Sequence, residues 1–275
     1  MIEHKIDNAE GVLNTVIITA IHGKYIERCL KTFSETTNRE EHRIIFVDAP
    51  SFQPHENLYP LVKDYVDVYI KTEKNYGFSK SVNLALGMVF TPYFSIIHDD
   101  CWFIHKGWWN ELKEMLDKNP DMLMIQPTSL NRRGPLRDGP EFISEEEYQK
   151  VIRDSGHSGI SLSEVYCMLF KKEWIDLMGL FDESIPMVGP EDMEIWRLAR
   201  AMNKFTGGTG QVGVFHKGIG RADSNGGGAD PVIHLRTKLN PFDRKWGKFD
   251  DIPGYGNLTG SDNIQPTMPN LIRQL

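Results

Sequence analysis

Asp48 follows the apolar run RIIFV, His98, Asp99 and Asp100 follow YFSII, and His216 follows QVGVF. Two adjacent carboxylates repel unless a cation or a donor-rich ligand lies between them, which makes Asp99 and Asp100 a candidate metal site. Carboxylates joined by an imidazole, with no thiolate cluster, suit Mg²⁺ or Mn²⁺ better than a structural zinc. Such ions keep waters and take substrate phosphates as ligands, so a diphosphate-bearing substrate is implied. The sequence has neither a GxxxxGK[ST] loop nor a GxGxxG between its first strand and helix, so neutralising the phosphates falls to the metal. Taken alone, Asp48 also reads as a turn former before Pro50.

The elements that must position these groups alternate. Strands are expected at 14–21, 43–47, 67–71, 93–97 and 122–125, from β-branched apolar runs. Helices are expected between them at 25–36, 57–65, 78–90 and 107–118, the last stopped by Asn119-Pro120. That order predicts an α/β protein with a mostly parallel central sheet covered by helices on both faces. In such sheets ligands bind outside the carboxyl ends of the strands, where these polar residues fall. Beyond residue 127 come a turn-rich loop (131–140), a short acidic helix (144–153), a strand returning to the sheet (163–171), helices at 172–178 and 191–203, and a strand at 211–215. A single domain over 1–220 is expected, with a nucleotide-binding half at 14–126 and an acceptor half at 127–220. A loop-rich extension follows at 221–275, where Gly, Asp, Asn and Pro abound.

The order Asp48, Asn75-Tyr-Gly77-Phe-Ser-Lys80-Ser-Val-Asn83, His98-Asp99-Asp100, Gly179-Leu-Phe-Asp182-Glu183, Gly189-Pro-Glu191-Asp192 and His216 resembles family-two inverting glycosyltransferases with the GT-A fold. The resemblance spans roughly residues 14 to 220. It implies that Asp48 contacts the nucleotide base, and that Asn75, Gly77, Lys80 and Asn83 line the donor site with His98 and Asp99. It further implies that Asp100 and His216 bind the metal, with Asp192, next to Glu191, as general base. His98 stands where the family's DxD motif has Asp or Asn. Lys245-Trp246-Gly247 resembles a short element of some members.

The implied activity is transfer of a sugar from a nucleotide diphosphate sugar to a glycan or other hydroxyl acceptor, as in polysaccharide or glycan synthesis, with Mn²⁺ or Mg²⁺ as cofactor. An inverting transfer needs one carboxylate to take the acceptor proton while the opposite face of the sugar carbon releases the diphosphate. A carboxylate at a helix start suits that task. On the other reading, Glu191 and Asp192 cap the helix, followed by an exposed Glu194–Arg197 pair. Trp102, Trp108 and Trp109 read either as sugar-stacking residues or, for Trp108 above all, as core. Arg132, Arg133 and Arg137 read as a diphosphate or acceptor contact or as a solvated loop, and His157 as part of an acceptor-side loop.

Two other functions share parts of this pattern. A sugar-phosphate nucleotidyltransferase needs a glycine-rich basic loop after the first strand, where this chain has Ala20-Ile-His-Gly-Lys24 with a single Gly. A non-catalytic nucleotide-sugar binding module would explain His98 as decay.

Composition narrows the partners. A formal net charge of -7 argues against nucleic acid. Three cysteines, Cys29, Cys101 and Cys167, are widely spaced and offer no CxxC pair, which fits a reducing compartment. The charged start MIEHKIDNAEG does not read as a secretion signal, so a cytoplasmic protein is expected. Residues 81–98 carry no formal charge, but Asn83, Gly87 and Thr91-Pro92 interrupt them, so a helix followed by a strand is expected rather than an integral membrane segment. Peripheral contact with the inner face of a membrane is compatible with this composition.

Overall fold

The computed structural model describes residues 2–4, 11–20, 23–49, 57–131, 136, 140, 142–155, 166–183 and 191–218. Its strands are β1 (Ile2–His4), β2 (Asn14–Ala20), β3 (His42–Asp48), β4 (Val68–Lys71), β5 (Tyr93–His98), β6 (Cys101–Trp102), β7 (Met122–Ser129), β8 (Cys167–Lys171) and β9 (Phe205–His216). Its helices are α1 (Ile26–Thr36), α2 (Tyr59–Val62), α3 (Phe78–Leu86), α4 (Trp108–Lys118), α5 (Glu145–Ser155), α6 (Glu173–Met178) and α7 (Glu191–Ala201).

One sheet runs in the order β1-β4-β3-β2-β5-β8-β7-β9-β6. β2, β3, β4, β5, β7 and β9 point the same way, while β1, β6 and β8 run against them. The mostly parallel α/β sheet expected from the sequence is therefore present, with β8 inserted as an antiparallel spacer between β5 and β7. Successive residues of β2 face opposite ways, and both directions are buried: Val16 and Ile18 pack with α1, α2 and α4, whereas Ile17 packs with α3, α6 and α7. Two covered faces are why the strand runs are continuously apolar. The uncharged run 81–98 is divided between α3 and β5, and no helix among the described residues is long and apolar enough to cross a membrane.

β7 and β9 run further than expected. β9 begins six residues before the apolar run 211–215, through Phe205-Thr-Gly-Gly-Thr-Gly210. It pairs with β7 along this stretch, with a register irregularity between Pro127 and Thr128. Gly and Pro have low strand propensity, so this pairing comes from the sheet around it rather than from local preference. The extension at 221–275, the loop residues Arg132, Arg133 and Arg137, His157 and Lys245-Trp246-Gly247 lie outside the described residues.

α5 closes the corner between β6 and β9 through a cluster of Trp102, Leu130, Tyr148 and Phe215. The Gly213 N–H donates to the Tyr148 hydroxyl at 2.9 Å. His105, stacked on Tyr148, joins α4 to α5: its Nε2 lies 2.6 Å from Glu111 and its Nδ1 2.5 Å from Glu145. A neutral imidazole has one N–H, so only the imidazolium donates to both carboxylates. Burial opposes that charge, but the bonds to Glu111 and Glu145 and their charges outweigh it and hold the His105 pKa above its ordinary value. A raised native pKa contributes stability that is full below the unfolded value of about 6.5 and is lost as pH rises through the native pKa. The stability difference between wild type and His105→Gln, read from urea midpoints, is therefore expected to shrink as pH rises from about 6 to about 9. A pH-independent difference would refute the charged clasp.

Candidate active site

Asp48, His98, Asp99, Asp100 and His216 gather at the carboxyl edge of the sheet. Ala20 is level with Asp48, Thr19 with His98, and Asp48 with Lys71, so β2, β3, β4 and β5 end together. β9 brings His216 to the same edge, where it pairs with Cys101 of β6. The Lys217 N–H donates to the Asp100 carbonyl at 3.0 Å, which ties the Asp99-Asp100 turn to the end of β9.

His98, Asp100 and His216 each offer one ligand atom, and these atoms all lie within 4.8 Å of one another. The His216 Nε2 is 3.5 Å from the Asp100 carboxylate, with both side chains buried. His98 thus joins the expected metal pair Asp100 and His216. Its neighbour Asp99 turns the other way and accepts the Gly23 N–H at 3.0 Å. Burial, followed by the charge of Asp100, pushes the Asp99 carboxyl up to about 8, against the opposing hydrogen bonds from the Gly23 and Asp99 N–H groups. Two buried neighbouring carboxylates ionise together only with a cation at hand. Together with a donor set of two imidazoles and a carboxylate, this fits a borderline divalent ion such as Mn²⁺. Gly23 has φ +67, and a Cβ there would stand 2.4 Å from Leu58 Cδ1, so this contact to Asp99 favours glycine.

Asp48 is fully buried at its strand end, and its carboxylate accepts the hydroxyl of Tyr69. Asn75 sets the start of α3: its Oδ1 accepts the Gly77 N–H at 2.8 Å, and Gly77 has φ 84. Lys80 lies over the Tyr76 ring at 4.7 Å, and Phe78 meets the His98 ring edge-on at 6.1 Å. Asn83 is engaged elsewhere. Its amide donates to the Phe181 carbonyl at 2.9 Å and to Glu183 at 3.1 Å, and its Oδ1 accepts the Phe181 N–H at 3.0 Å. It pins the segment that leads toward α7. Replacing Asn83 with Ala removes three hydrogen bonds, two of them buried, each worth about 1 kcal/mol, so a stability loss of about 2–3 kcal/mol in chemical denaturation is expected. A loss below about 0.5 kcal/mol would refute the pinning role.

Glu191 and Asp192 open α7, and their side chains lie outside the described residues. Glu194 and Arg197, expected to be exposed, are 1% and 8% exposed. Both are buried, as is Ile195, and helix periodicity alone does not tell a buried face from a solvated one. Trp102, Trp108 and Trp109 are all buried, so none presents a ring for a sugar. Cys29, Cys101 and Cys167 are free and buried, all within the core on the α1 side. Burial pushes all three thiols up, which leaves them inert.

Tyr166, Asn131, Tyr69 and Gly23 touch the expected residues without having been singled out in the sequence. The Asn131 Oδ1 accepts the His216 N–H at 3.0 Å. Only Gly23, isolated after the first strand, carried a local signal. The others act through long-range contacts.

The Glycosyl transferase family 2 model matches residues 15–177. Solved structures of similar fold include the mannosyltransferase PcManGT from Pyrobaculum calidifontis in complex with GDP-Man and Mn²⁺, with 14% identity and a TM-score of 0.55. That likeness covers 80% of this chain and 62% of the other. Residues 1–349 of S. aureus TarS share 14% identity at a TM-score of 0.52, over 78% of this chain and 62% of that one. GalNAc-T7 with UDP, GalNAc and Mn²⁺ shares 14% identity at a TM-score of 0.56, over 75% and 44%. The chain therefore spans less than two thirds of the length of these structures, and the likeness establishes a GT-A-like fold. No curated protein sequence matches the chain.

Proposed function

The chain belongs to glycosyl transferase family 2, whose model covers more than half of it, and we propose that it is a metal-dependent inverting glycosyltransferase. It moves a sugar from a nucleotide diphosphate sugar to a hydroxyl acceptor of glycan type. The observation that carries this reading is the convergence of His98, Asp100 and His216 beside Asp48 at the carboxyl ends of the strands. The presence of Mn²⁺ with GDP-Man in PcManGT, and with UDP in GalNAc-T7, supports it. With His98 in the same cluster as Asp100 and His216, the imidazole in the DxD position reads as a ligand rather than as decay.

The residues divide the task. Asp48, at the end of β3, accepts an N–H of the base. The Asn75–Lys80 segment and the start of α3 bound the donor side. His98, Asp100 and His216 would hold the divalent cation, which supplies positive charge to the diphosphate leaving group. Asp192, at the start of α7, takes the proton of the acceptor hydroxyl. The acceptor oxygen then bonds to the anomeric carbon as the carbon–phosphate oxygen bond breaks on the opposite face, and the nucleoside diphosphate leaves with the electron pair.

A thermal-shift screen of nucleoside diphosphates and nucleotide sugars, with and without Mn²⁺, tests this reading. A ligand that binds only the native state raises the melting temperature, by about 2.7 kcal/mol of stabilisation at a hundred times its Kd. A shift that needs both nucleotide and Mn²⁺ is expected. Absence of any such shift, with no hydrolysis or transfer of any nucleotide sugar, would overturn it.

A further inference from the structure

Imidazole ligands of metals are normally aimed by a hydrogen bond from the nitrogen that does not touch the metal. Among the described residues, none supplies that bond to His216. Its Nε2 faces Asp100, and its Nδ1 is buried with no hydrogen-bond partner among the described residues. Rotation of a histidine ring about its last torsion is broad and roughly two-fold, so something else must fix its plane.

Tyr166 is placed to do so. Its ring stacks on the His216 imidazole with centroids 4.5 Å apart and planes 12° apart. Its hydroxyl donates to the Pro127 carbonyl in β7, which anchors the far end of the ring. Its own carbonyl accepts the His98 N–H at 2.8 Å and the Cys101 thiol at 3.3 Å. One buried residue, 2% exposed, thus holds the ring of one cluster member, the main chain of a second and the residue next to the third.

On the reading that His98, Asp100 and His216 hold a divalent cation, we propose that Tyr166 is the positioning residue of that site. Stacking sets the plane in which His216 presents its nitrogen, and the Pro127 anchor keeps that plane from tilting. The Tyr166 carbonyl holds the backbone of His98 and the thiol beside Asp100 in step with it. Phe at this position keeps the stack and loses the anchor; Leu loses both.

Mn²⁺ affinity, read from the electron paramagnetic resonance signal of the free ion, separates this role from a purely structural one. Orienting partners of metal-bound histidines are typically worth 10–100-fold in affinity. Tyr166→Leu is therefore expected to weaken Mn²⁺ binding at least tenfold, and Tyr166→Phe about threefold, with only a small fall in the metal-free melting temperature of the Phe variant from its lost hydrogen bond to Pro127. A structural role alone would lower the melting temperature and leave Mn²⁺ affinity unchanged. Wild-type Mn²⁺ affinity in both variants overturns the inference, and if Tyr166→Leu does not fold, wild-type affinity in Tyr166→Phe overturns it alone. His216→Ala guards the premise. If wild type does not bind Mn²⁺, or His216→Ala binds it equally well, the metal site itself falls, and the role of Tyr166 with it.

Discussion

Asp192→Asn is expected to lower kcat for sugar transfer by about 10³-fold, within the 10²–10⁴ range of general-base catalysis. Asn keeps the size and polarity of the side chain but cannot take the proton of the acceptor hydroxyl. Without that acceptor the attacking oxygen must carry a positive charge into the transition state, or lose its proton to water. Asp192 opens α7, on a different part of the chain from the strand ends that carry Asp48 and the His98–Asp100–His216 cluster. Nucleotide affinity in the presence of Mn²⁺ should therefore stay within about twofold of wild type. A fall in kcat without a fall in affinity is the signature of an interaction made in the transition state. Glu191→Gln is the control. If Glu191 only tunes its neighbour, its loss costs less than about tenfold. Near-normal transfer by Asp192→Asn would remove it as the base, and a large loss in Glu191→Gln instead would reassign the role.

The sheet was legible in the sequence because its signal is local. The runs 14–20, 42–48 and 93–98 are largely apolar and buried on both faces, and the last two end in polar residues, Asp48 and His98, at the same edge. Where pairing is imposed from outside, the signal vanishes. β1 and β6 are three and two residues long, and the start of β9 is broken by Gly207, Gly208 and Gly210, whose low strand propensity hides it. The site shows the same division. Asp48, Asp99, Asp100 and His216 could be picked out because strand ends are where sheets bind ligands. The membership of His98 in the cluster with Asp100 and His216, and the contact of Asp99 with the Gly23 N–H 76 residues earlier in the chain, are long-range arrangements that no local pattern carries. Asn83 fits a donor-site motif by spacing, yet its amide is spent on Phe181 and Glu183, contacts about a hundred residues away. The buried pair Glu194 and Arg197 was misread because i, i+3 spacing places two charges on one face without saying what that face meets.

Asp100→Ala should abolish the Mn²⁺-dependent part of nucleotide binding, weakening it by at least about 100-fold, more than the loss of an orienting partner costs. Asp100 is the one carboxylate of the cluster, and the remaining imidazoles of His98 and His216 bring no negative charge. A divalent ion held by two neutral ligands gains little over water, so the diphosphate would meet Asp99 without compensation. Metal-free stability is expected to change little, because two effects oppose each other. Removing Asp100 relieves its repulsion of the buried Asp99, while it also removes the 3.5 Å contact with His216. The variant should therefore melt near wild type without metal but lose the rise in melting temperature that Mn²⁺ and nucleotide produce together. The donor set adds a second readout. Imidazole suits Mn²⁺ better than the strongly hydrated Mg²⁺, so wild type should bind nucleotide more tightly with Mn²⁺ than with Mg²⁺. A His98→Asp variant, with one more hard oxygen ligand, should narrow that gap. Unchanged Mn²⁺-dependent affinity in Asp100→Ala would place the metal elsewhere. Equal preference for the two ions in wild type would exclude His98 and His216 as a pair of ligands.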